Sequence, residues 1–359
     1  MIRRVRALID LAALKANFAQ SKAAAPQSRV MAVIKANAYG HGVLRVAHAL
    51  ANADAFALAS LDEALVLRTA GVAKRLIVLG GVYSADELTR AVENNVELVV
   101  HSEEQLRLLE SASLSTSVGV WLKVDTGMHR LGVAPGKLKN FYQRLCALKY
   151  IKRPLVIMTH FASADEEDDQ TTPLQLKQFQ ASIAGTEAEY SCANSAALLK
   201  YPAAHFDWVR PGIMLYGVSP FASSTACAYD LLPVMTLESR IIAVNSYQRG
   251  DAIGYAGTWT CPEDMPVGVV AIGYADGYPR HAPSGTPVLV NGKRASLIGR
   301  VSMDMITVDL RGIGPVRAGD PAVLWGRGLP VENIAARAGT IAYELLCKVT
   351  TRVPFEIEE

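Results

Sequence analysis

The segment Val30–Gly42, VMAVIKANAYGHG, sets one lysine, Lys35, between five consecutive apolar residues and a polar turn with two glycines. An amine held where a buried strand ends is placed to form a Schiff base with a carbonyl or to act as a base. Other apolar runs end in the same way. VGVWLKVD carries Lys123 and Asp125 and leads into TGMHRLG with Arg130. LVIMTHF carries His160, AEYSCAN ends on Asn194 ahead of Ser195, and FDWVRPG holds Arg210 before Gly212. Each has a plainer reading when taken singly. A lysine after a strand is usually solvated, a single histidine is usually architecture, and DEEDD (Asp165 to Asp169) reads as an acidic loop. Their coincidence at the ends of apolar runs is what points to a site, and its cations call for an anionic ligand.

The elements that must carry these residues follow from the rhythm of the chain. From Val30 to about Gly217, eight apolar runs alternate with helix-patterned segments: VMAVI, AFALAS, RLIVLG, VELVVH, VGVWLKVD, LVIMTHF, AEYSCAN and FDWVRPGIMLYG. Strand-length apolar runs alternating with amphipathic helices indicate βαβ units and a parallel sheet buried on both faces. Eight of them predict an α/β fold of the (β/α)8 TIM-barrel type, which occupies about 250 residues. An open doubly wound sheet usually carries phosphate-binding glycines after its first strand, where this chain has a lysine. Beyond about Asp230 the pattern changes to short strand-like runs separated by Gly, Pro and Asn turns, with one helix-like stretch at VENIAARAG. The division expected is a barrel over 1–228 and a C-terminal mainly-β domain over 229–359, with the first residues pairing with the latter.

Chemistry in such barrels collects at the C-terminal ends of the strands, and phosphate is often bound by the loops after the last two. Those loops contain ANSAALL and VRPGIML, offering the Ser195 hydroxyl and the amides of Gly212 and Ile213. A lysine on the same rim as a phosphate site suits pyridoxal phosphate, whose aldehyde condenses with an amine while its phosphate is anchored separately.

These segments resemble the alanine racemase family. AVIKANAYGHG resembles its cofactor-lysine signature, and LKVDTGMHRLG, THFA, HFDWVRPGIMLYG, IGYAGTW, GYADGYPR, VSMDM and AYELL follow in the family's order, from about Ile9 to Pro354. The resemblance implies that Lys35 holds pyridoxal 5'-phosphate as a Schiff base and that Tyr39, one helical turn on, reaches the phosphate. Ser195, the amides of Gly212 and Ile213, and Tyr343 would complete that phosphate site. Arg210 would face the pyridine nitrogen with His160 behind it, while Arg130 and the Met303 amide would bind the substrate carboxylate. Tyr255 would be the second base, opposed to Lys35. Lys123 matches a lysine that is carbamylated in some members, and Ser302 stands before Met303 where some members have cysteine. The implied activity is interconversion of L- and D-alanine by two bases, in a cytoplasmic homodimer with shared sites that supplies D-alanine for peptidoglycan.

A pyridoxal phosphate decarboxylase of the same two-domain plan is the first alternative, and a racemase of broader amino-acid specificity the second. Decarboxylases on this plan place a carboxylate at the pyridine nitrogen, where WVRPG supplies Arg210. A non-catalytic cofactor carrier would have no use for a second base. No second histidine lies three to five residues from His160, so no metal site is expected. With 36 Lys and Arg against 34 Asp and Glu, the net charge of +2 has no basic run to mark a nucleic-acid partner. No apolar run approaches the ~20 residues of a membrane span. Arg3, Arg4 and Arg6 before ALIDLAALKANF resemble a secretory leader, but Asp10 as a helix N-cap and Leu11, Leu14 and Phe18 on one face read as folded protein. Five scattered cysteines in no paired spacing suit a reducing compartment.

Overall fold

The computed structural model describes residues 5–168 and 170–358, so Arg3, Arg4 and Asp169 lie outside the described residues. The chain divides into two compact units. One comprises Asn17–Ala38 and Gly42–Leu215; the other comprises Tyr39–His41, the chain before Asn17 and the chain from Tyr216 onward.

After β1 (Arg6–Asp10) comes the expected helix, Leu11–Ala24, where Asp10 Oδ1 accepts the Ala13 amide at 2.7 Å and Leu14 and Phe18 are buried. The eight apolar runs then form β2 (Arg29–Val33), β3 (Ala55–Leu58), β4 (Arg75–Val78), β5 (Val96–Val100), β6 (Val120–Lys123), β7 (Leu155–Met158), β8 (Ala188–Ser191) and β9 (Trp208–Val209). They close into a parallel barrel, with Arg29 opposite Trp208 and Val30 opposite Val209 where the last strand meets the first. Every residue of β3, β5, β6 and β7 is buried, which is why these strands read as unbroken apolar runs rather than alternating ones. Helices Leu61–Thr69, Ala85–Glu93 and Glu103–Ser111 each start from a serine cap, Ser60, Ser84 or Ser102, whose hydroxyl accepts the amide three residues on.

The other unit is built on an eight-stranded sheet. Its strands are β10 (Met235–Tyr247), β13 (Met265–Val270), β14 (Pro287–Val290), β15 (Lys293–Ile298), β16 (Ile306–Asp309), β17 (Pro321–Trp325) and β18 (Phe355–Glu358), together with β1. Between them β11 (Ala252–Ile253) and β12 (Trp259–Thr260) form a separate small hairpin. The order is β13-β16-β15-β14-β17-β10-β1-β18, and β13 also pairs with β10. The thirteen-residue β10 shifts register between Leu237 and Glu238 and between Ile241 and Ala243, which lets one strand pair with β1, β17 and β13. β1 runs antiparallel to β10 and parallel to β18. VENIAARAG forms the helix Val331–Ala338, and a second helix, Ala342–Lys348, was not expected. At seven residues it is too short to show helical periodicity.

The α/β class, the eight-stranded barrel and the separate mainly-β region are thus as expected. Among the described residues no helix is long and apolar enough to cross a membrane. None of the five cysteines is joined in a disulfide.

Candidate active site

Lys35 directly follows the buried segment Val30–Ile34 at the C-terminal end of β2. The turn after it differs from the ordinary helical turn expected. Ala36, Asn37, Ala38 and Tyr39 all have φ between 52° and 54°, a left-handed turn made without glycine. Each such residue costs about 1–2 kcal/mol, so the surroundings must hold the turn in place. Hydrogen bonds do so at several points. The Ala36 amide donates to Glu63 Oε1 at 2.7 Å, the Ala38 amide to the Ile34 carbonyl at 2.9 Å, and the Val43 amide to Asn37 Oδ1 at 2.8 Å.

Arg210, at the end of β9, is 4% exposed. Its guanidinium donates to Ser191 Oγ at 2.6 Å, to the Thr159 carbonyl at 2.6 Å and to the Cys192 carbonyl at 3.1 Å. Burial lowers its pKa to about 10, which leaves it charged at neutral pH. His160 Nδ1 lies 3.5 Å from the same guanidinium, and because arginine only donates, Nδ1 must be the acceptor and the ring proton sits on Nε2. Burial, then the Arg210, Lys123, Arg130 and Lys35 charges, push the His160 pKa well below its ordinary value, so the ring stays neutral. His160 therefore adds no charge to the rim and steadies the arginine.

Lys123, the last residue of β6, is buried, and its pKa falls to about 8. Burial is the largest cause, Arg210, Arg130 and Lys35 add to it, and Asp125 opposes it. The cost of keeping this amine charged in the fold is full below about pH 8. It is relieved as the pH rises from there towards the unfolded lysine's pKa. Asp125 shapes the adjoining loop by accepting the amides of Gly127 and His129, each at 3.0 Å, and the exposed Arg130 follows directly.

On the loops after β8 and β9, Ser195 Oγ accepts the Gly212 amide at 2.9 Å and the Met214 amide at 3.4 Å. The Gly212 amide, expected to face a phosphate, is therefore engaged by Ser195. Ile213 opens the buried turn Ile213–Tyr216. With both oxygen lone pairs occupied, the Ser195 hydroxyl has its proton left to donate. An amine at the end of β2, a donor hydroxyl between β8 and β9, and a buried guanidinium fit an anionic aldehyde such as pyridoxal phosphate.

The remaining residues belong to the other unit. Tyr39 stacks on Tyr216 at 4.8 Å between ring centroids, and Tyr343, on the helix Ala342–Lys348, lies 5.9 Å from Tyr39. Burial, with the Tyr343 and Cys347 side chains adding to it, pushes the Tyr39 pKa up, so Tyr39 is a phenol donor throughout the physiological range. Tyr255 caps the β11–β12 hairpin between Gly254 (φ 73°) and Ala256 (φ 61°), with 68% of its surface exposed. Met303 is 52% exposed. The Ser302 carbonyl accepts the Tyr274 amide at 3.1 Å, and in a trans peptide this turns the Met303 N–H away from Tyr274. That close passage requires Gly273, since a Cβ there would collide with the Ser302 and Met303 carbonyls.

Sequence reading missed the supports: Ser191 and the Thr159 carbonyl under Arg210, and Glu63 on the turn after Lys35. Only Glu63 left a visible signal, as the fourth residue of the helix-start motif SLDE.

A lysine just past the first strand of a β/α barrel, with an anion cradle on the loops after its last two, marks the class of barrel-type pyridoxal phosphate enzymes. Residues 9–220 match the family model for the alanine racemase N-terminal domain, and residues 234–357 that for the C-terminal domain. The chain belongs to the alanine racemase family, whose members use pyridoxal phosphate. It is 51% identical to alanine racemase of Halorhodospira halophila, over 98% of this chain and 97% of that one. Among solved structures, the biosynthetic alanine racemase of Pseudomonas aeruginosa superimposes with a TM-score of 0.97 at 45% identity, covering 100% of both chains. Alanine racemase of Acinetobacter baumannii gives 0.95 at 38% identity, over 99% of this chain and 100% of that one.

Proposed function

We propose that this chain interconverts L- and D-alanine, with Lys35 and Tyr255 as bases on opposite faces of the substrate. The reading is carried by Lys35 at the end of β2 in a chain that matches the family over both of its units. When bound, pyridoxal phosphate supplies the electron sink that makes an amino acid's α-hydrogen acidic. The Lys35 amine would hold the cofactor covalently, and as a free amine it would take or return the α-proton on its side. The Tyr255 hydroxyl oxygen would do so on the other, taking the proton as phenolate and returning it as phenol. Ser195, the Ile213 amide, Tyr39 and Tyr343 would hold the phosphate, with the Gly212 amide seating the Ser195 hydroxyl, while Arg130 and the Met303 amide would take the substrate carboxylate. Arg210 offers only donors, so a pyridine nitrogen held beside it would act as an acceptor, and the electron sink would be weaker than one facing a carboxylate. A weaker sink favours return of the proton to the α-carbon. In pure protein, the optical rotation of L-alanine solutions should decay to zero; carbon dioxide release instead would favour a decarboxylase.

A base that works in a water-excluded site does not function with two-thirds of its surface exposed, so another surface must cover Tyr255. This supports a head-to-tail homodimer in which each Tyr255 and Met303 serves the partner's Lys35. We further place the barrel function in residues 1–228 and the second-base function in 229–359, and the enzyme in the cytoplasm supplying D-alanine for peptidoglycan. The name of the Pseudomonas aeruginosa relative, a biosynthetic alanine racemase, agrees with that role.

Lys123 reacts with carbon dioxide only as the neutral amine, giving a carbamate and a proton. Its pKa of about 8 makes the neutral form accessible at mild pH. In 13C-bicarbonate the protein should show a carbamate carbon signal above about pH 8 that fades on acidification and is missing from Lys123→Ala. A spectrum unchanged by that substitution would refute the modification.

A further inference from the structure

Three barrel helices open with one motif, Ser-x-x-Glu or Ser-x-x-Gln: Ser60 with Glu63, Ser84 with Glu87, and Ser102 with Gln105. In each, the Glu or Gln side chain reaches back to the amide before the serine. Ala59 N–H donates to Glu63 Oε2 at 2.8 Å, Tyr83 N–H to Glu87 Oε2 at 2.6 Å, and His101 N–H to Gln105 Oε1 at 2.9 Å. Two of the three also reach the loop after the neighbouring strand one step back in the barrel. Gln105 Nε2 donates to the Gly80 carbonyl after β4 at 3.0 Å, whereas Glu63 Oε1 accepts the Ala36 amide after β2 at 2.7 Å. The side chain matches what the neighbouring loop offers: an amide NH2 where it presents a carbonyl, a carboxylate where it presents an N–H. A glutamine at 63 could accept only one of its two amides through oxygen and would turn a donor on the other.

The Ala36 amide belongs to the Lys35–Ala36 peptide, and Ala36 (φ 53°, ψ 52°) is the first residue of the left-handed turn. A bond to that amide fixes the plane of this peptide, and with it the direction in which the Lys35 side chain leaves the strand. We propose that Glu63 is a positioning residue for Lys35, its carboxylate clamping the Lys35–Ala36 peptide so that the amine stands where aldehyde and substrate must meet it. The proposal rests on the reading of Lys35 as the cofactor lysine.

Glu87 supplies the control, because it has the same motif position and serves only its own helix start. Glu63→Gln should lower kcat roughly 10–100-fold with KM for alanine little changed, the pattern of a misplaced reacting group. It should slow, by a comparable factor, the borohydride-trapped attachment of pyridoxal phosphate to Lys35 in full-length protein stripped of cofactor. Glu87→Gln should change neither. Glycine takes left-handed angles without the clamp, so Ala36→Gly added to Glu63→Gln should restore at least about tenfold of the lost rate. If Glu63→Gln does not fold, the double variant read against Ala36→Gly alone makes the same comparison. Equal behaviour of Glu63→Gln and Glu87→Gln would overturn the proposal, as would an absence of recovery in the double variant. A wild-type chain that takes no label at Lys35 would instead overturn the cofactor assignment, and the clamp with it.

Discussion

Lys35→Ala abolishes racemisation, with turnover falling at least about a thousandfold, because one residue serves as both covalent anchor and base. The loss is chemical and not structural. Lys35 is half-buried at a strand end, and the backbone bonds that fix the following turn run through Ala36, Ala38 and Val43. The thermal midpoint of the variant should therefore stay near that of the wild type. Borohydride treatment with pyridoxal phosphate should label a single peptide containing Lys35 in the wild type and none in the variant. Labelling elsewhere, notably at Lys123, would move the anchor. Lys123 stands at the end of β6 on the same rim, and its pKa of about 8 would make it reactive.

Tyr255→Phe should lower racemisation by roughly 10²–10⁴-fold, the usual contribution of a general base, while leaving the ring in place. Its distinctive signature lies in isotope exchange. In deuterated water Lys35 remains able to exchange the α-hydrogen of one enantiomer, so one should lose its proton without inverting while the other stays inert. Exchange from both enantiomers would mean that a group other than Tyr255 serves the second face. Mixing a Lys35→Ala chain with a Tyr255→Phe chain tests the sharing of sites. If Tyr255 crosses to the partner, each mixed dimer holds one intact site, and an equal mixture regains about a quarter of wild-type activity. No recovery despite proven subunit exchange would place both bases on one chain.

Much of this arrangement is legible in residue order because both faces of the barrel strands are buried. VELVV and LVIM have no solvent face, so they read as apolar runs, and the polar residue that ends such a run marks the rim. Lys35, Lys123, His160 and Arg210 are found in this way. The left-handed turn over Ala36–Tyr39 is not, because none of its residues is a glycine and nothing local announces a positive φ. The clamp that holds it is a long-range bond, 27 residues along the chain, and SLDE alone reads only as a helix start. β1 carries little local signal as a strand: RALID is five residues long, and its partners stand at the far end of the chain, in β10 and β18.

Racemisation by two opposed bases is tested most directly by incubating the pure protein with L-alanine in deuterated water, following optical rotation and α-deuterium together. Two opposed bases predict rotation decaying to zero, with deuterium appearing first in the newly formed D-alanine while the remaining L-alanine stays largely protonated. D-alanine as the starting material should reach the same endpoint, since enantiomers have equal free energy. Rotation that does not change in protein carrying pyridoxal phosphate on Lys35 would contradict the account.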